Sequence, residues 1–270
     1  MKAPLVTVAI CTYNGEVYLE KMLNSVLTQD YPNFEVVIVD DGSSDGTVSM
    51  IKRFADRHDC IRPFFRSNHG LPGSRNFSFS QARGDWIAII DQDDLCYPTR
   101  LSRQMEVTRA HPTAGLVFCN THYINERDEI IGNHLARFSL PESFIPKGTA
   151  SDLLLQLGCY IDSEACFIKR DTVRSIGAQD ESLVYSCDYE YFIRAGLAVD
   201  FAYTSEILSA WRIHEEQATK KYRKVRYEAR AVFRRYFKRK GVSLWTKAII
   251  AKNMLKSYAG EILDDFRQRA

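Results

Sequence analysis

Three carboxylates, Asp91, Asp93 and Asp94, fall within four consecutive positions directly after the apolar run "WIAII". Crowded carboxylates repel one another, and their desolvation is costly unless a cation or hydrogen-bond donors compensate. Because side chains alternate along an extended segment, Asp91 and Asp93 point to the same side and could bind one cation. Carboxylates together with substrate phosphates are a usual binding set for Mg²⁺ or Mn²⁺. The alternative, a solvated acidic turn, is the more frequent explanation of an isolated DxD motif.

A second acidic loop, "VDDGSSDG", follows an earlier strand pattern. A carboxylate at the carboxyl end of a strand can accept a hydrogen bond from a base or a ribose, and we predict this role for Asp40. For Asp41 a turn is the simpler interpretation, because Gly42 and Gly46 tolerate the positive φ that turns require. The sequence contains neither GxGxxG nor GxxxxGKS/T, so phosphate charge must be met by a metal and by arginine. Arg75, in the segment "GSRN", is our candidate.

The polar loops interrupt an alternation of strand and helix patterns that predicts an α/β fold. Strand patterns cover residues 5–11, 34–39, 61–65 and 86–90, and helical patterns cover residues 18–27, 47–57 and 74–82. This order is typical of an open, largely parallel sheet with helices on both faces. In such sheets ligands bind beyond the carboxyl ends of the strands, where these polar loops fall. The loops are therefore expected to converge on one edge of the sheet.

Beyond residue 98 the patterns are less regular. We predict a helix over residues 100–110, a strand over 116–119, a loop over 137–150 and a helix over 151–157. Apolar positions at helical spacing then recur over residues 222–236 and 244–262. They predict two amphipathic helices near the end of the chain.

Charge is unevenly distributed along the chain, although the formal net charge is only +2 over 270 residues. Residues 220–240 contain eleven Lys or Arg and a single acid, Glu228, so this block carries +10 and the remainder −8. A basic block of this kind suggests contact with an anionic surface, and we expect peripheral membrane contact rather than nucleic-acid binding. The alternatives are packing of these helices on the domain and formation of a homodimer through them.

The composition is that of an ordinary globular protein, with 45% hydrophobic and 26% charged residues. Seven cysteines without a CxxC spacing argue against a zinc site and against a disulfide framework. We therefore expect a reducing, cytoplasmic location. No apolar stretch reaches the length of a membrane span, and the apolar run near the N-terminus is interpreted as a strand rather than a signal peptide.

The ordered motifs "VAICTYNG", "VDDGSSDGT", "NHGLPGSRN" and "WIAIIDQDD" resemble the nucleotide-sugar-binding half of the family 2 glycosyltransferases of GT-A fold. The resemblance covers residues 5–105 continuously, and the ordered set is more specific than any one motif. It implies a GT-A domain over residues 1–218, with a nucleotide-sugar-binding half at 1–105 and an acceptor or catalytic half at 106–218. Residues 219–270 would then form a basic, amphipathic helical appendage.

The resemblance also assigns roles at the donor site. It implies a UDP-sugar as the default donor, with thymidine and guanine nucleotides as alternatives, and Mg²⁺ or Mn²⁺ as the cofactor. Asp93 would be the direct metal ligand, with Asp91 beside the ribose or the metal. The implied nucleotide-sugar contacts are Thr12, Tyr13 and Asp40 at the base and Arg75, Asp91 and Gln92 elsewhere on the nucleotide sugar.

A later segment, "GAQDESLVYSCDYEYFIRAG", resembles the family's Glu-Asp pair followed by an aromatic-rich helix. Here Cys187 replaces the first member of the pair, and Asp188 aligns with the general base. Glu190 is the competing carboxylate. A helix cap is the alternative role of Asp188.

The segment "AWRIHEEQAT" resembles the family's late Arg-x-His motif. By that resemblance His214 would be a third metal ligand or a contact to the pyrophosphate. A structural histidine is the alternative.

The implied reaction is inverting transfer of a sugar to a hydroxyl of a glycan or a lipid-linked acceptor. A rival enzyme class is a haloacid-dehalogenase-like phosphatase, which also has DxD after an apolar strand but expects Thr or Val where this chain has Leu95. A rival of another class is a non-catalytic interaction protein with a basic tail that binds membrane or nucleic acid. Failure to bind UDP would favour that rival.

Overall fold

The computed structural model describes residues 3–141, 143–215, 217, 221–239 and 242–269. Its first half alternates strands with helices: β1 (Val6–Thr12), α1 (Leu19–Leu27), β2 (Phe34–Asp40), α2 (Thr47–Ala55), β3 (Ile61–Phe65), α3 (Gly70–Gln81) and β4 (Trp86–Asp91). The four strands pair in parallel in the spatial order β3, β2, β1, β4. The predicted α/β architecture is therefore confirmed.

The parallel register brings the carboxyl ends of β1, β2 and β4 level with one another. Thr12 pairs with Asp40 across β1 and β2, and Cys11 pairs with Asp91 across β1 and β4. These strands are almost entirely buried. Strands that are covered on both faces consist of nearly continuous apolar runs, so they can be recognised as strands in the sequence. The polar residues at the strand ends consequently lie side by side along one edge.

The second half extends the same sheet. Its elements are β5 (Leu95–Cys96), α4 (Arg100–Ala110), β6 (Ala114–Ile124), β7 (Ile130–Asn133), β8 (Phe144–Ile145), α5 (Thr149–Leu157), β9 (Cys166–Lys169), α6 (Arg170–Ile176), α7 (Cys187–Ala198) and β10 (Asp200–Arg212). From β4 the sheet continues through β9, β6 and β10 to β5, while β7 pairs with β6 and β8 with β10. β9 runs antiparallel to both neighbours, whereas β10 runs parallel to β6. Two apolar cores cover the sheet, one containing residues of α1 and the other residues of α5 and α7.

Several elements differ from the sequence-based predictions. α3 begins at Gly70 instead of residue 74, because Pro72 lies in the first helical turn, where a missing N–H breaks no hydrogen bond. β6 continues past its predicted end, since the buried Thr121 hydroxyl finds a partner 3.0 Å away in the Ser209 hydroxyl of β10. β8 lies within residues 137–150, which were predicted to be loop.

The two predicted amphipathic helices are present as α8 (Tyr222–Phe237) and α9 (Leu244–Arg269). α8 inserts Val232 and Tyr236 into the apolar core that contains α7, and α9 inserts Ile250 into the same core. The predicted boundary between domain and appendage, residue 218, lies outside the described residues. Of the helices in the described ranges, none combines the length and the apolar content needed to cross a membrane.

Candidate active site

Asp40 joins the ends of the first two strands and is buried. Its Oδ1 accepts hydrogen bonds from Thr12 Oγ1 (3.2 Å) and Ser43 Oγ (2.5 Å), and its Oδ2 accepts from the backbone N–H of Gly42 (3.2 Å) and Ser43 (3.0 Å). Both oxygens of Asp40 therefore shape the loop that follows β2. Thr12 and Asp40 come together at the predicted edge, and their contact with a nucleoside stays a prediction.

A two-way hydrogen bond joins the loops after β1 and β4. Tyr13 N donates to Gln92 Oε1 at 2.8 Å, and Gln92 Nε2 donates to Tyr13 O at 3.2 Å. A Cβ at Gly15 would lie 2.4 Å from Gln92 Oε1, so a larger residue there would displace the Gln92 side chain from this contact. The Tyr13 side chain stays 50% exposed, which leaves its aromatic face accessible to a flat ligand.

Arg75 extends from α3 to the end of β4. Its guanidinium, 3% exposed, donates to Asp91 Oδ1 at 2.6 Å. Burial raises the pKa of Asp91, the Arg75 guanidinium opposes this rise, and the Asp93 carboxylate adds to it. Arg75 Nε has no hydrogen-bond partner among the described residues. Arg75 thus holds the first DxD carboxylate in place and keeps one buried donor unused.

His214, just beyond the end of β10, lies against the second DxD carboxylate. Its Nε2 is 2.8 Å from Asp93 Oδ2, and the two side chains are 13% and 22% exposed. The imidazole packs on the Tyr18 ring with 5.4 Å between centroids. Two of the three residues predicted as metal ligands, Asp93 and His214, are therefore neighbours, and their contact with a metal stays a prediction. A carboxylate beside an imidazole nitrogen is a donor set that suits Mn²⁺.

Arg212 belongs to this site, although the sequence patterns did not single it out. It is fully buried, and it donates to the backbone oxygens of Asp93 (2.8 Å) and Asn125 (3.0 Å). It also forms an ion pair with Asp128 at 2.5 Å. Arg212 thereby fastens the DxD backbone to the turn between β6 and β7. Its place two residues before His214 is the signal that could have identified it.

A buried acidic cluster adjoins the DxD motif. Carboxylate oxygens of Asp91, Asp94 and Glu164 lie within 4.8 Å of one another. Burial and the neighbouring carboxylates hold the pKa values of Asp94 and Glu164 well above the usual range. Sequence reasoning missed Glu164, because it comes from a short 3-10 turn (Ser163–Ala165) that only the fold brings to this edge. Such a cluster requires either protons or a cation to balance its charge.

Asp188 lies in the first turn of α7 and is half-buried. Its Oδ2 accepts a hydrogen bond from Ser163 Oγ at 3.1 Å, and its Oδ1 accepts from the next backbone N–H at 2.7 Å. Ser163 is the neighbour of Glu164, whose carboxylate lies within 4.8 Å of that of Asp91, so Asp188 lies close to the DxD motif. The N-cap position of α7 is Ser186, which argues against the helix-cap alternative for Asp188.

Glu190, the competing carboxylate, lies in a different environment. It is 2% exposed and pairs with Arg194 at 2.8 Å and with Arg235 of α8 at 3.1 Å. It also accepts a hydrogen bond from Tyr236 Oη at 3.0 Å. Glu190 therefore joins α7 to α8.

Comparison with known proteins places this site in a family. The family described as Glycosyl transferase family 2 matches residues 7–177. The chain belongs to glycosyl transferase family 2. The matched segment contains the donor-site loops and the DxD motif but ends before Asp188 and His214. The assignment of those two residues consequently depends on their position in the structure.

Named relatives are glycosyltransferases. An uncharacterized glycosyltransferase of Rickettsia typhi is 27% identical over 224 residues, covering 80% of this chain and 66% of that protein. Another, from Rickettsia conorii, is 27% identical over 226 residues, covering 80% of this chain and 35% of that protein. The putative glycosyltransferase EpsE of Bacillus subtilis is 38% identical over 112 residues, 40% of each chain. This chain therefore spans between about a third and two thirds of the length of these relatives.

Solved structures share the fold at low sequence identity. TarS 1–349 of S. aureus in complex with UDP-GlcNAc has a TM-score of 0.71 at 18% identity, covering 94% of this chain and 72% of that chain. The mannosyltransferase PcManGT of Pyrobaculum calidifontis, in complex with GDP-Man and Mn²⁺, has a TM-score of 0.68 at 18% identity, covering 100% and 81%. The family 2 chain has the GT-A fold that the sequence motifs predict.

Proposed function

We propose that this family 2 chain transfers a sugar, with inversion at the anomeric carbon, from a nucleoside diphosphate sugar to an acceptor hydroxyl. The observation that carries the proposal is the convergence of three features on one sheet edge. These are the contact between Asp93 and His214, the ion pair of Arg75 with Asp91, and the Asp188 carboxylate, which Ser163 holds next to the acidic cluster of Asp91, Asp94 and Glu164. The first two offer ligands for a metal and a pyrophosphate, and the third offers a base.

UDP is the proposed nucleotide of the donor. The accessible Tyr13 ring and the Thr12–Asp40 contact lie at the strand ends where α/β sheets bind ligands. Of the similar structures, TarS was solved with UDP and UDP-GlcNAc, and PcManGT with GDP-Man. GDP is therefore the competitor that a binding experiment must include.

Mg²⁺ or Mn²⁺ is the proposed cofactor. Asp93 and His214 would hold the ion, with Asp91 beside the ribose or the ion. A bound divalent ion would neutralise charge that develops on the leaving pyrophosphate. The donor atoms fit such an ion, because the Asp93 and His214 donors are already adjacent and the carboxyl oxygens of Asp91, Asp94 and Glu164 lie within 4.8 Å of one another.

Asp188 is the proposed general base. It would take the proton of the acceptor hydroxyl while that oxygen bonds to the anomeric carbon and the bond from this carbon to the pyrophosphate oxygen breaks. Attack from the face opposite the leaving group inverts the anomeric configuration. The Ser163 hydroxyl holds one oxygen of Asp188 and thereby orients the carboxylate. Glu190 is a poorer candidate, because its oxygens are engaged by Arg194, Arg235 and Tyr236.

A glycan or a lipid-linked molecule is the proposed acceptor, reached by a chain that contacts the membrane peripherally. α9 exposes Leu244, Trp245 and Leu255 on one face, at 87%, 70% and 70%. Lys252 and Lys256 are exposed on the same stretch of the helix. Leucine, tryptophan and lysine together on an exposed helix are typical of segments that lie in a membrane interface. A second copy packed on this face, forming a homodimer, is the competing explanation.

Thermal unfolding with UDP, GDP and dTDP, each with Mn²⁺ or with EDTA, tests the donor and the cofactor. We expect UDP with Mn²⁺ to raise Tm by roughly 5–10 °C at a concentration a hundredfold above Kd, because ligand binding stabilises the folded state. EDTA should remove this effect. Asp93→Asn should lose the metal-dependent stabilisation, and Glu106→Gln, an exposed carboxylate on α4, should keep it. Equal stabilisation by UDP in EDTA would contradict the metal role, and no response to any nucleotide would contradict the proposed function.

A further inference from the structure

Glu228 is the single acid of the basic block at residues 220–240, and it is 8% exposed on α8. Its carboxylate accepts three backbone hydrogen bonds from consecutive residues. Val184 N donates to Oε1 at 3.0 Å, while Tyr185 N and Ser186 N donate to Oε2 at 2.6 and 2.9 Å. Hydrogen bonds to an ionised carboxylate are shorter and stronger than neutral ones. Glu228, on α8, therefore holds the backbone of residues 184–186, which lie more than 40 positions earlier in the chain.

This segment leads directly into the helix that carries the proposed base. Ser186 is the N-cap of α7 and makes no capping hydrogen bond with its own side chain. Asp188 follows two residues later, in the first turn. The first N–H groups of a helix lack intrahelical acceptors, and negative charge is favoured near them. Glu228 accepts from the N–H of the N-cap residue Ser186 and of the two residues before it, and so places a carboxylate at the N-terminus of α7.

A second contact between α8 and the α7 region lies about two turns further along α8. Tyr236 of α8 donates to Glu190 of α7 at 3.0 Å, and Arg235 pairs with Glu190 at 3.1 Å. Tyr236 is almost completely buried. α8 is therefore fixed against α7, so the position of Glu228 is determined by packing as well as by its own hydrogen bonds.

We propose that Glu228 is a positioning residue for sugar transfer, which fixes the backbone of residues 184–186 and thereby sets where the Asp188 carboxylate stands in the cleft. The inference rests on the proposed role of Asp188 as the base. A base must stand within hydrogen-bond reach of the proton that it takes. A displacement of about 1 Å can cost roughly 100-fold in rate.

Glu228→Gln tests the proposal, because it keeps the size of the side chain but replaces one accepting oxygen by an NH₂ group that cannot accept. In the full chain, we expect amide hydrogen exchange to rise in peptides covering residues 183–190 and to stay unchanged at residues 86–95. Hydrolysis of UDP-sugars, with water in place of the acceptor, should fall roughly 10- to 100-fold in kcat with KM unchanged. Binding of UDP with Mn²⁺ should be retained. Glu228→Asp, which keeps the charge, should recover part of the rate.

Tyr236→Phe is the matched control, since it also removes one buried hydrogen bond between α8 and α7 but leaves the bonds to residues 184–186 in place. It should lower Tm without the loss in kcat. Equal kcat losses in Tyr236→Phe and Glu228→Gln, or normal exchange at residues 183–190 in Glu228→Gln, would overturn the positioning role while leaving the proposed function intact. If the unmodified chain hydrolyses no UDP-sugar and binds no nucleotide, the proposed function fails. Hydrogen exchange then decides by itself whether Glu228 holds this segment.

Discussion

At the residue scale, two carboxylates in one turn of α7 have opposite surroundings. Asp188 is half-buried, with the Ser163 hydroxyl as a side-chain donor to one of its oxygens. Glu190 is 2% exposed and is held by two arginines and a tyrosine hydroxyl. Residues two apart on a helix face different directions, so one points to the cleft and the other to α8. A buried carboxylate whose oxygens are already engaged by three side chains is poorly placed to reach an acceptor hydroxyl, so Asp188 stays the proposed base.

Asp188→Asn should therefore separate chemistry from binding. The substitution keeps the side-chain size but removes the capacity to take a proton, so transfer, or hydrolysis of the donor by water, should fall roughly 10²–10⁴-fold. Affinity for UDP with Mn²⁺, measured by calorimetry, should be unchanged. Glu190→Gln is the control, because it should lower Tm through the weakened ion pairs and retain turnover. The reverse pattern, an active Asp188→Asn and an inactive Glu190→Gln, would move the base to Glu190.

A site residue could be predicted from the sequence where the residues next to it in the chain form a recognisable motif. Asp91 and Asp93 lie in a recognisable motif at a strand end, Arg75 lies in the segment "GSRN" of α3, and the structure brings Arg75 and Asp91 into contact. Glu164 carries no such local signal, and Arg212 has only its place two residues before His214. Each contacts the DxD segment from a distant part of the chain, so their roles become visible only after the sheet has formed.

At the element scale, the predictable strands are those that are buried on both faces. β1, β2 and β4 are buried on both faces, and a continuous apolar run of strand length identifies them. The far end of β6 is polar, and its burial depends on the hydroxyl of Ser209 on β10. The sequence pattern at the end of β6 does not indicate such a partner on another strand. The second half of the sheet was therefore less predictable than the first.

The exposed face of α9 leads to a prediction about binding to anionic membranes. Each basic side chain near an anionic leaflet contributes about 1 kcal/mol, so Lys252→Glu with Lys256→Glu should weaken binding to phosphatidylglycerol-containing vesicles at least roughly 10-fold. Sedimentation with vesicles at increasing salt measures this, and binding of the unmodified chain should weaken as salt rises. Lys52→Glu with Lys147→Glu, two exposed lysines elsewhere, is the charge-matched control.

Equal binding to neutral and anionic vesicles would contradict an electrostatic membrane contact by α9. A concentration-dependent dimer in analytical ultracentrifugation, lost in Trp245→Ser, would instead assign the exposed face to a second copy of the chain. Both experiments use the full chain. Removing α8 and α9 is not a clean alternative, because Val232, Tyr236 and Ile250 belong to the main apolar core.

At the scale of the whole molecule, the basic block is partly neutralised by the acidic body to which it is attached. Arg235 pairs with Asp180 at 2.7 Å and with Glu190 at 3.1 Å, and these acids flank the start of α7. The block's own acid, Glu228, binds backbone N–H groups instead of a neighbouring lysine. The basic block and the acidic body, which are separate in the sequence, are thus partly paired in the folded chain. The two ion pairs of Arg235 also hold α8 to the half of the chain that carries the proposed base.

The ion pair of Asp180 makes this attachment sensitive to acid. Hydrogen bonds from Ser182 and Arg235 lower the pKa of Asp180 from 3.8 to about 2. A carboxylate whose pKa is lower in the folded state stabilises the fold above its unfolded pKa, and this contribution is lost as pH falls from about 4 to about 2. Asp180→Asn should therefore lower Tm by roughly 2–4 °C at pH 6 and by less at pH 2.5, because below the unfolded pKa folding has to release the proton that the unfolded carboxyl binds. Asp171→Asn, an exposed carboxylate of α6 facing Arg174 at 3.6 Å, is the control and should change Tm little at either pH. A Tm difference between the unmodified chain and Asp180→Asn that stays constant from pH 6 to pH 2.5 would show that the charge of Asp180 does not hold α8 to the body.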